Sequence, residues 1–474
     1  MREFNYRFEK GLFTGLRSTD KLPLNYQHLA KLINLKAGQA GIEAPFAINK
    51  ISNTESSTSW PYGQIFLGSY YTIVAFPDII YRINSDLATL FTTLNPTNDP
   101  TYEYDLTPYG SNISVTAGTN PWEFVDYGKY FILTNGTTVV YSDLTDLNNP
   151  VLATSADFNP TCVSYTNFRG QLIGGNVTTS WHSCGDNSVV WSKIGSIVMT
   201  PSMSGESGFK NITEWQGQVH CVKCLRDRVV VYGNAGIIAM VPADARFGWE
   251  MLSSVGLYGA YAIGGDEYEH VFADSYGVLW RMQRVGDVRY AYAPKKLGYE
   301  EFIQPLSRAT LRISKDSVNS EYYISDGTKS YLLTDQGLSE LTMKVGSVTS
   351  HYGRIIGAVT DGSYSYGLLE TGPLDTKSAG FKTVVAVELG VTKTTGVSVA
   401  IKWRNVGDAS FKTTAYYPVN DQGVAYPRIS ASEICLVVKV TDPTGFKLDY
   451  ANIRMNLTDR RSVRGVLDVN ETAG

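Results

Sequence analysis

The sequence has few charged residues and few of the side chains that catalysis uses most. Charged residues make up 18% of the 474 positions, below the roughly 25% of an average globular domain. Five histidines are present, and none has a recognisable catalytic neighbourhood, so general-base options are few. No Gly-x-Ser-x-Gly elbow or Walker loop occurs. The sequence therefore favours a protein that is not an enzyme and needs no cofactor.

Long apolar runs and an export signal are also missing. No stretch approaches the roughly 20 apolar residues of a membrane span, and none follows Met1–Tyr6. The five cysteines, an odd number without an export signal, are expected to be small buried apolar residues and not a disulfide framework. The formal net charge of -4 gives no basis for wrapping free DNA. We therefore expect a soluble protein made in the cytosol, with no membrane insertion.

Aromatic residues and glycine are abundant instead. The chain has 31 tyrosines and 44 glycines; aromatic rings suit pleated surfaces, and glycine supplies the positive φ angles of tight turns. Only Pro23–Ala37 is predicted to be helical, because Leu29, Leu32 and Ile33 follow i, i+3, i+4 spacing and Gly38 is suited to end a helix. Elsewhere strand patterns dominate, which predicts an all-β protein.

Pairs of apolar strands around a Gly- or Asp-centred turn recur along the chain. Their spacing overlaps the roughly 40–50 residues of a four-stranded propeller blade. Three of the turns, at Asn135-Gly136, Asp326-Gly327 and Asp361-Gly362, are typical of type I′ hairpins, whose two central residues both have positive φ. We predict a β-propeller of six to eight blades, with a string of β-sandwich domains as the alternative. The seven predicted hairpins are Tyr71–Asn84, Lys129–Ser142, Gln171–Ser192, Arg228–Val241, His270–Met282, Tyr322–Thr334 and Arg354–Leu369.

The pattern changes after Glu370. Strands at Val384–Val391, Gly396–Trp403 and Cys435–Val440, separated by loops rich in Lys, Thr and Asp, predict a second, compact β unit. The basic segment Arg460–Gly465 predicts a polar terminal arm. The predicted division is an N-terminal arm with a short helix at 1–50, a β-propeller at 51–370, a β-sandwich-like platform at 371–459 and a basic C-terminal arm at 460–474.

The nearest approach to a metal signature is His220 with Cys221 and Cys224, to which His182 and Cys184 could add ligands. If this segment is a strand, Cys221 and Cys224 point to opposite faces and do not converge on one metal. Two buried thiols are therefore predicted, with no metal-ligating residues.

Acidic and glycine-rich segments of the sequence match known catalytic patterns only in part. The densest acidic patch, Asp266–Glu269, offers carboxylates of the kind a glycosidase needs, but a solvated turn explains it more simply. Asp274–Trp280 resembles the Asp-box turn of sialidases, with Phe272 where a serine is expected; a true Asp-box is a folding element in any case. A glycine cluster lacks the spacing of a dinucleotide site, namely Gly256, Gly259, Gly264 and Gly265. No catalytic or cofactor-binding residue is predicted.

Several segments together resemble the tail hub or nozzle proteins of short-tailed bacteriophages. Leu22–Tyr26 leading to Ala40–Pro45 is similar to the entry motif before their first blade, although Glu43-Ala44 stands where an arginine is expected. The other segments that carry the resemblance are Trp122–Ser142, Val190–Gly195, Arg226–Phe247, Glu250–Leu252 and Ser254–Gly256.

The resemblance implies a propeller with an added β platform, arranged as a ring of typically six copies around the DNA exit channel. Such a ring lies below the portal and adaptor of the virion tail and retains and conducts the genome at ejection. The expected partners are further copies of the chain, the portal and adaptor, tail fibre or needle proteins, and double-stranded DNA in transit. Assembly is expected in the host cytoplasm. The alternatives are a propeller that binds or hydrolyses carbohydrate at the host surface and a cytosolic scaffold propeller.

Overall fold

Contacts divide the chain into two compact units. Unit 1 comprises Met1–Phe46, Tyr331–Thr342 and Ser363–Gly474, and unit 2 comprises Ala47–Ser330 and Met343–Gly362. No helix in the described ranges is long and apolar enough to cross a membrane. The computed structural model describes residues 2–8, 15–16, 29–51, 64–67, 72–75, 80–83, 106–108, 121–128, 130–143, 152–154, 160–179, 181–201, 206–243, 246–284, 292–351, 354–359, 364–374 and 380–457.

Strands supply nearly all of the regular structure in these ranges, and one short helix, α1 (Glu300–Ile303), accompanies them. The first half of the chain contains β1 (Arg2–Phe8), β2 (Leu29–Ile33), β3 (Lys36–Gly38), β4 (Gly41–Glu43), β5 (Ile48–Ile51), β6 (Gln64–Leu67), β7 (Thr72–Ala75), β8 (Ile80–Ile83), β9 (Leu106–Pro108), β10 (Glu123–Tyr127), β11 (Tyr130–Thr134), β12 (Val139–Asp143), β13 (Leu152–Thr154), β14 (Cys162–Phe168), β15 (Gln171–Val177), β16 (Ser188–Trp191), β17 (Gly208–Asn211), β18 (Val219–Leu225), β19 (Arg228–Gly233) and β20 (Ile237–Ala243). The second half contains β21 (Arg246–Ser253), β22 (Ile263–Gly265), β23 (Glu269–Ala273), β24 (Leu279–Arg284), β25 (Tyr292–Gly298), β26 (Arg312–Asp316), β27 (Glu321–Ser325), β28 (Ser330–Thr334), β29 (Gly337–Leu341), β30 (Val345–His351), β31 (Arg354–Val359), β32 (Gly367–Thr371), β33 (Lys382–Val391), β34 (Val397–Arg404), β35 (Lys412–Thr413), β36 (Tyr417–Pro418), β37 (Val424–Ala425), β38 (Ile429–Ala431), β39 (Glu433–Val440) and β40 (Lys447–Leu457).

Unit 2 is a β-propeller, as predicted. Among its described residues, successive sheets open with β6, β10, β14, β18, β22, β26 and β30, and the first two strands of each are antiparallel. Five of them are four-stranded meanders, running β6 to β9, β10 to β13, β14 to β17, β18 to β21 and β22 to β25. Seven sheets lie within the predicted range of six to eight blades.

The propeller closes by joining strands from both ends of unit 2. The last sheet runs β30-β31-β5, and β5 from the start of the unit pairs in parallel with β31 from its end. The first strand of the first sheet, β6, lies next to β30. This closure protects sheet edges that would otherwise be open to pairing with other chains.

The hairpin prediction is confirmed for six of the seven segments, because β7–β8, β11–β12, β15–β16, β19–β20, β23–β24 and β27–β28 are neighbours. The seventh, Arg354–Leu369, is wrong. Its first strand, β31, pairs with β30 and β5, whereas its second, β32, pairs with β2 and β39. Both parts of this segment are strands, as predicted, but β31 and β32 do not pair with each other.

The type of turn also differs from the prediction. At the β11–β12 turn Gly136 has φ 81°, while Asn135 is not among the described residues with positive φ. Instead, the Asn135 side-chain oxygen accepts the backbone N–H groups of Thr137 and Thr138 at 3.0 and 2.7 Å. Asp326 accepts the equivalent bonds from Thr328 and Lys329 in the second predicted turn, and the third lies outside the described residues. The short polar side chain, and not a second positive φ, stabilises these turns.

Unit 1 contains two sheets that match the predicted platform strands. In one, β40 pairs with β33 on one side and with β1 and β4 on the other. The other includes β28-β29-β2-β32-β39-β34-β35 in this order, with β36 also paired to β34. In the first half of β33 alternate side chains, such as Val384 and Ala386, are buried, so this strand keeps one apolar face.

The predicted N-terminal helix is wrong where the structure describes it, because residues 29–33 form β2 and residues 36–38 form β3. Its helical spacing arises from a bulge in β2 between Leu29 and Lys31. The extra residue shifts the two-residue alternation, so Leu29 and Leu32 are both buried on one face although they are three positions apart. Residues 23–28 lie outside the described residues.

The compact units are not the consecutive ranges predicted from the sequence. Unit 1 takes strands from the N-terminal, central and C-terminal parts of the chain, and a division by local pattern produces only consecutive ranges. The predicted arm at 460–474 lies outside the described residues.

Candidate functional site

The cysteine segment forms a strand, in which Cys221 is buried, as predicted, and Cys224 is only partly buried. Cys221 and Cys224 lie on β18 and pack in two different apolar clusters, because they point to opposite faces. All five cysteines are free, and burial raises the pKa of Cys224 to about 11. Within the described ranges no three His, Cys, Asp or Glu side chains are grouped as metal ligands.

The acidic patch forms a turn, as the simpler interpretation expected, but two of its carboxylates are paired. Lys315 on β26 places its Nζ 2.8 Å from Asp266 Oδ2 and 3.1 Å from Glu269 Oε1. Tyr322 donates its hydroxyl proton to Glu269 at 2.9 Å. A tyrosine–glutamate pair resembles a sialidase nucleophile, but the Tyr322 side chain is fully buried and is not accessible to a sugar. These contacts link β23 and the turn before it to β26 and β27 of the next blade.

Asp274 behaves as the folding element that the Asp-box comparison suggested. Its Oδ1 accepts the backbone N–H groups of Tyr276 and Val278 at 2.9 and 3.0 Å. Its Oδ2 accepts the indole N–H of Trp280 at 2.8 Å. The carboxylate thereby satisfies three donors of one turn and is itself buried.

The glycine cluster serves close backbone packing. A Cβ atom added at Gly256 would lie 2.2 Å from the carbonyl carbon of Asn234, and one at Gly264 would lie 2.4 Å from Ile313 O. At Gly259 it would lie 2.0 Å from Arg308 O. Glycine at these positions lets one chain segment approach the backbone of another.

Gly259→Ala is expected to lower the free energy of unfolding by about 2 kcal/mol, because the new methyl group forces backbone atoms apart. The measurement is urea unfolding followed by tryptophan fluorescence. Gly185→Ala is the matched control, since its Cβ would meet nothing closer than Asn187 Oδ1 at 3.8 Å. Equal losses from the two substitutions would refute the packing explanation.

A buried ionic network that sequence reasoning missed lies on the first strands of three blades. Glu123 on β10 accepts a hydrogen bond from Ser164 Oγ on β14 at 2.7 Å and one from Lys223 Nζ on β18 at 3.2 Å. Burial alone would lower the pKa of Lys223, but the neighbouring Glu123 outweighs it, so that the pKa is raised. The network therefore keeps the partly buried Lys223 charged.

His270 is a second buried polar group in unit 2. Its Nε2 lies 3.1 Å from the carbonyl oxygen of Cys224, which can only accept, so Nε2 carries the proton. Its Nδ1 then accepts the hydroxyl proton of Tyr232 at 2.8 Å. Burial lowers the pKa of His270 to about 4. The imidazole is therefore neutral at pH 7.

The surface best suited to function is the first-turn face, which consists of the turns between the first and second strands of four neighbouring blades. Arg226 N–H in one turn donates to Glu267 O in the next at 2.8 Å, and Lys315 joins the Asp266 turn to β26. These bonds hold successive turns at the same end of their sheets. The turns are Arg169-Gly170, Arg226-Asp227, Asp266–Tyr268 and Ser317–Ser320.

Strained turns give the first-turn face a fixed shape. Arg169 and Arg226 have positive φ of 52° and 55°, an uncommon conformation for bulky residues. The guanidinium of Arg226 lies 4.9 Å from the ring centre of Tyr268, and that of Arg169 lies 5.1 Å from the ring of Phe168. Each arginine is thereby held against an aromatic ring.

Apolar side chains on the first-turn face are open to solvent. Tyr268 is 53% exposed and Val318 is 52% exposed. Ile194, at 72%, lies beside the Arg169-Gly170 turn, because Gly195 N–H donates to Gly170 O at 2.7 Å. Tyrosine and arginine are enriched among the residues that dominate protein interfaces. The first-turn face thus has the composition of a protein-binding surface.

Comparisons with known proteins found only distant structural similarities. No protein-family model matches the chain, and no curated protein matches it. The β-propeller domain of Cps50 (Swd1) from Myceliophteria thermophila has 10% identity and a TM-score of 0.39, over 67% of this chain and 94% of that one. A streptogramin B lyase, also a propeller, has 11% identity and a TM-score of 0.39, over 67% and 92%. PorZ, a surface component of the type-IX secretion system of Porphyromonas gingivalis, has 9% identity and a TM-score of 0.37; the match covers 68% of this chain and 36% of PorZ.

Proposed function

We propose that the chain is a structural subunit of the tail of a short-tailed bacteriophage, a hub or nozzle of six copies around the DNA exit channel. The sequence resemblance of segments such as Trp122–Ser142 supports this assignment. The observation that carries it is the first-turn face, a braced surface with exposed apolar and arginine side chains. A surface that is already rigid loses little conformational entropy when a partner binds.

The function is mechanical. Head-to-tail contacts close a ring when the rotation between subunits divides a full turn. The ring attaches to the portal and adaptor and carries the fibre or needle proteins. Double-stranded DNA passes through it at ejection, and a modest surface charge favours sliding, because each phosphate bound by Lys or Arg would add affinity that ejection must overcome.

Assembly can be measured by mass photometry and negative-stain imaging of the full chain, alone and with portal and adaptor. The chain is expected to form closed rings or to attach to the portal complex. Tyr268→Asp is expected to weaken this assembly at least about tenfold, because it places a charge on the first-turn face.

Tyr276→Asp is the matched control. Tyr276 is 65% exposed and lies in the β23–β24 turn, at the opposite end of β23 from Tyr268. It is expected to assemble like the unchanged chain. A chain that stays monomeric beside portal and adaptor would overturn the proposed function. If Tyr268→Asp and Tyr276→Asp weaken assembly equally, the first-turn face is not the assembly surface.

A further inference from the structure

We propose that unit 1 binds a saccharide in a polar pocket beside Asp421, an activity separate from the proposed structural role. The Asp421 pocket is open to solvent and has a volume of about 340 Å³, within the roughly 300–1,000 Å³ of small-molecule sites. The residues that matter for binding are Thr394, Thr395, Ser398, Pro418, Asp421 and Thr441.

The Asp421 pocket presents many oxygen atoms to a ligand. Ser398 donates its hydroxyl proton to Lys439 O at 3.4 Å, and Thr441 donates to Gly396 O at 3.1 Å. Both hydroxyl oxygens keep lone pairs that accept protons from a ligand. Asp421 is exposed, and its carboxylate has no side-chain partner among the described residues. It can therefore accept hydrogen bonds from two hydroxyl groups of a ligand at once.

Backbone hydrogen bonds fix the walls of the pocket. Val397 N–H donates to Thr394 O at 3.1 Å, and Val419 N–H donates to Val397 O at 3.1 Å. Thr441 N–H donates to Gly396 O at 2.9 Å. Three separate segments are thereby held together before any ligand arrives, which reduces the entropic cost of binding.

An aromatic and cationic border adjoins the pocket. Lys439 lies directly opposite Ser398 on β39, and Pro418 lies opposite Ser398 on the other side. The Lys439 ammonium lies 5.5 Å from the ring centre of Tyr416 and 6.0 Å from that of Tyr366. The Tyr416 ring is 45% exposed, so it can cover the apolar face of a pyranose while Lys439 pairs with an oxygen or a carboxylate of the sugar.

This chemistry selects a saccharide over other ligands. A drug-like apolar molecule would leave the hydroxyls of the pocket without partners. A metal ion would have one carboxylate, Asp421, and no grouped set of ligands among the described residues. A phosphate has no apolar face for the Tyr416 ring to cover. A pyranose supplies both the hydroxyl groups and the apolar ring face that these residues match.

Saturation-transfer NMR on the full chain tests the proposal. The probes are the methyl glycosides of glucose, galactose, mannose and N-acetylglucosamine, together with glucuronic acid, which tests the role of Lys439. At least one probe is expected to bind with a Kd in the millimolar range. Asp421→Ala is expected to weaken its binding at least about tenfold, and Thr395→Val is expected to weaken it by a smaller factor.

Asp449→Ala is the control, because Asp449 is an exposed aspartate on β40 whose carboxylate pairs with Lys447 at 3.1 Å. It is expected to bind like the unchanged chain. The proposal is overturned if none of the probes binds, or if binding survives both Asp421→Ala and Thr395→Val. Ring formation is measured separately, so its failure and the failure of saccharide binding are distinguishable.

Discussion

Glu123→Ala is expected to lower the free energy of unfolding by about 3 kcal/mol at pH 7. The Glu123 side chain is 10% exposed and accepts hydrogen bonds from both Ser164 and Lys223. Its removal takes the carboxylate partner from the Lys223 ammonium and leaves the Ser164 hydroxyl only a weaker acceptor, Val222 O at 3.5 Å. The expected loss is at the lower end of the range for a broken buried ion pair, because 33% of the Lys223 side chain is exposed. Urea unfolding at constant pH measures it.

A double-mutant cycle separates the pair interaction from the loss of packing. Lys223→Met and the double variant complete the cycle, and a coupling energy of about 1–2 kcal/mol is expected. Glu214→Ala is the control, since the Glu214 side chain pairs with Lys210 and is 31% exposed; this substitution should lower the free energy of unfolding by about 0.5 kcal/mol. If Glu123→Ala lowers the free energy of unfolding by no more than Glu214→Ala does, the network does not stabilise the propeller.

Lowering the pH from 7 to 4 is expected to cost about 3 kcal/mol of stability through His270 alone. The folded-state pKa of His270 is about 4 because of burial, whereas an unfolded histidine has a pKa near 6.5. Between these values the unfolded chain binds more protons than the folded chain. The contribution is therefore complete above about pH 6.5 and is lost as the pH falls to about 4.

The contribution of His270 is measured by comparing how the free energy of unfolding depends on pH in the unchanged chain and in His270→Gln. Carboxylates titrate in the same range in both proteins, so their effect cancels. The variant should show a flatter stability curve between pH 4 and 6.5. His182→Asn is the control, because the His182 side chain is exposed. Parallel curves for the unchanged chain and His270→Gln would contradict the buried, neutral imidazole.

Local patterns predicted the hairpins well and the N-terminal segment badly. A strand pair such as β11–β12 is joined by a short turn, so its alternation and its Asn135-Gly136 turn are both visible in adjacent residues. The segment around Leu29 and Leu32 contains a bulge, which converts the spacing of a strand into that of a helix. A bulge depends on the partner strand, here β32, and so cannot be read from local spacing.

Some features of the candidate sites were likewise visible in the local sequence, and others were not. Two-residue periodicity was enough to place Cys221 and Cys224 on opposite faces of a strand. The Glu123–Lys223 pair was not predictable, because its members are 100 residues apart and each is an ordinary charged residue in its local sequence. The Asp421 pocket likewise combines three segments of unit 1.

The sequence by itself determined the all-β character, the six hairpins and the opposite orientation of Cys221 and Cys224, because side-chain alternation and turn chemistry act over a few residues. Only the tertiary structure decided that β5 closes the propeller beside β31 and that the turns with Arg226 and Tyr268 form one face. It also decided that unit 1 takes strands from the N-terminal, central and C-terminal parts of the chain. Pairing between distant strands depends on closure of the whole ring of sheets, and no local pattern encodes which distant edge a strand will meet.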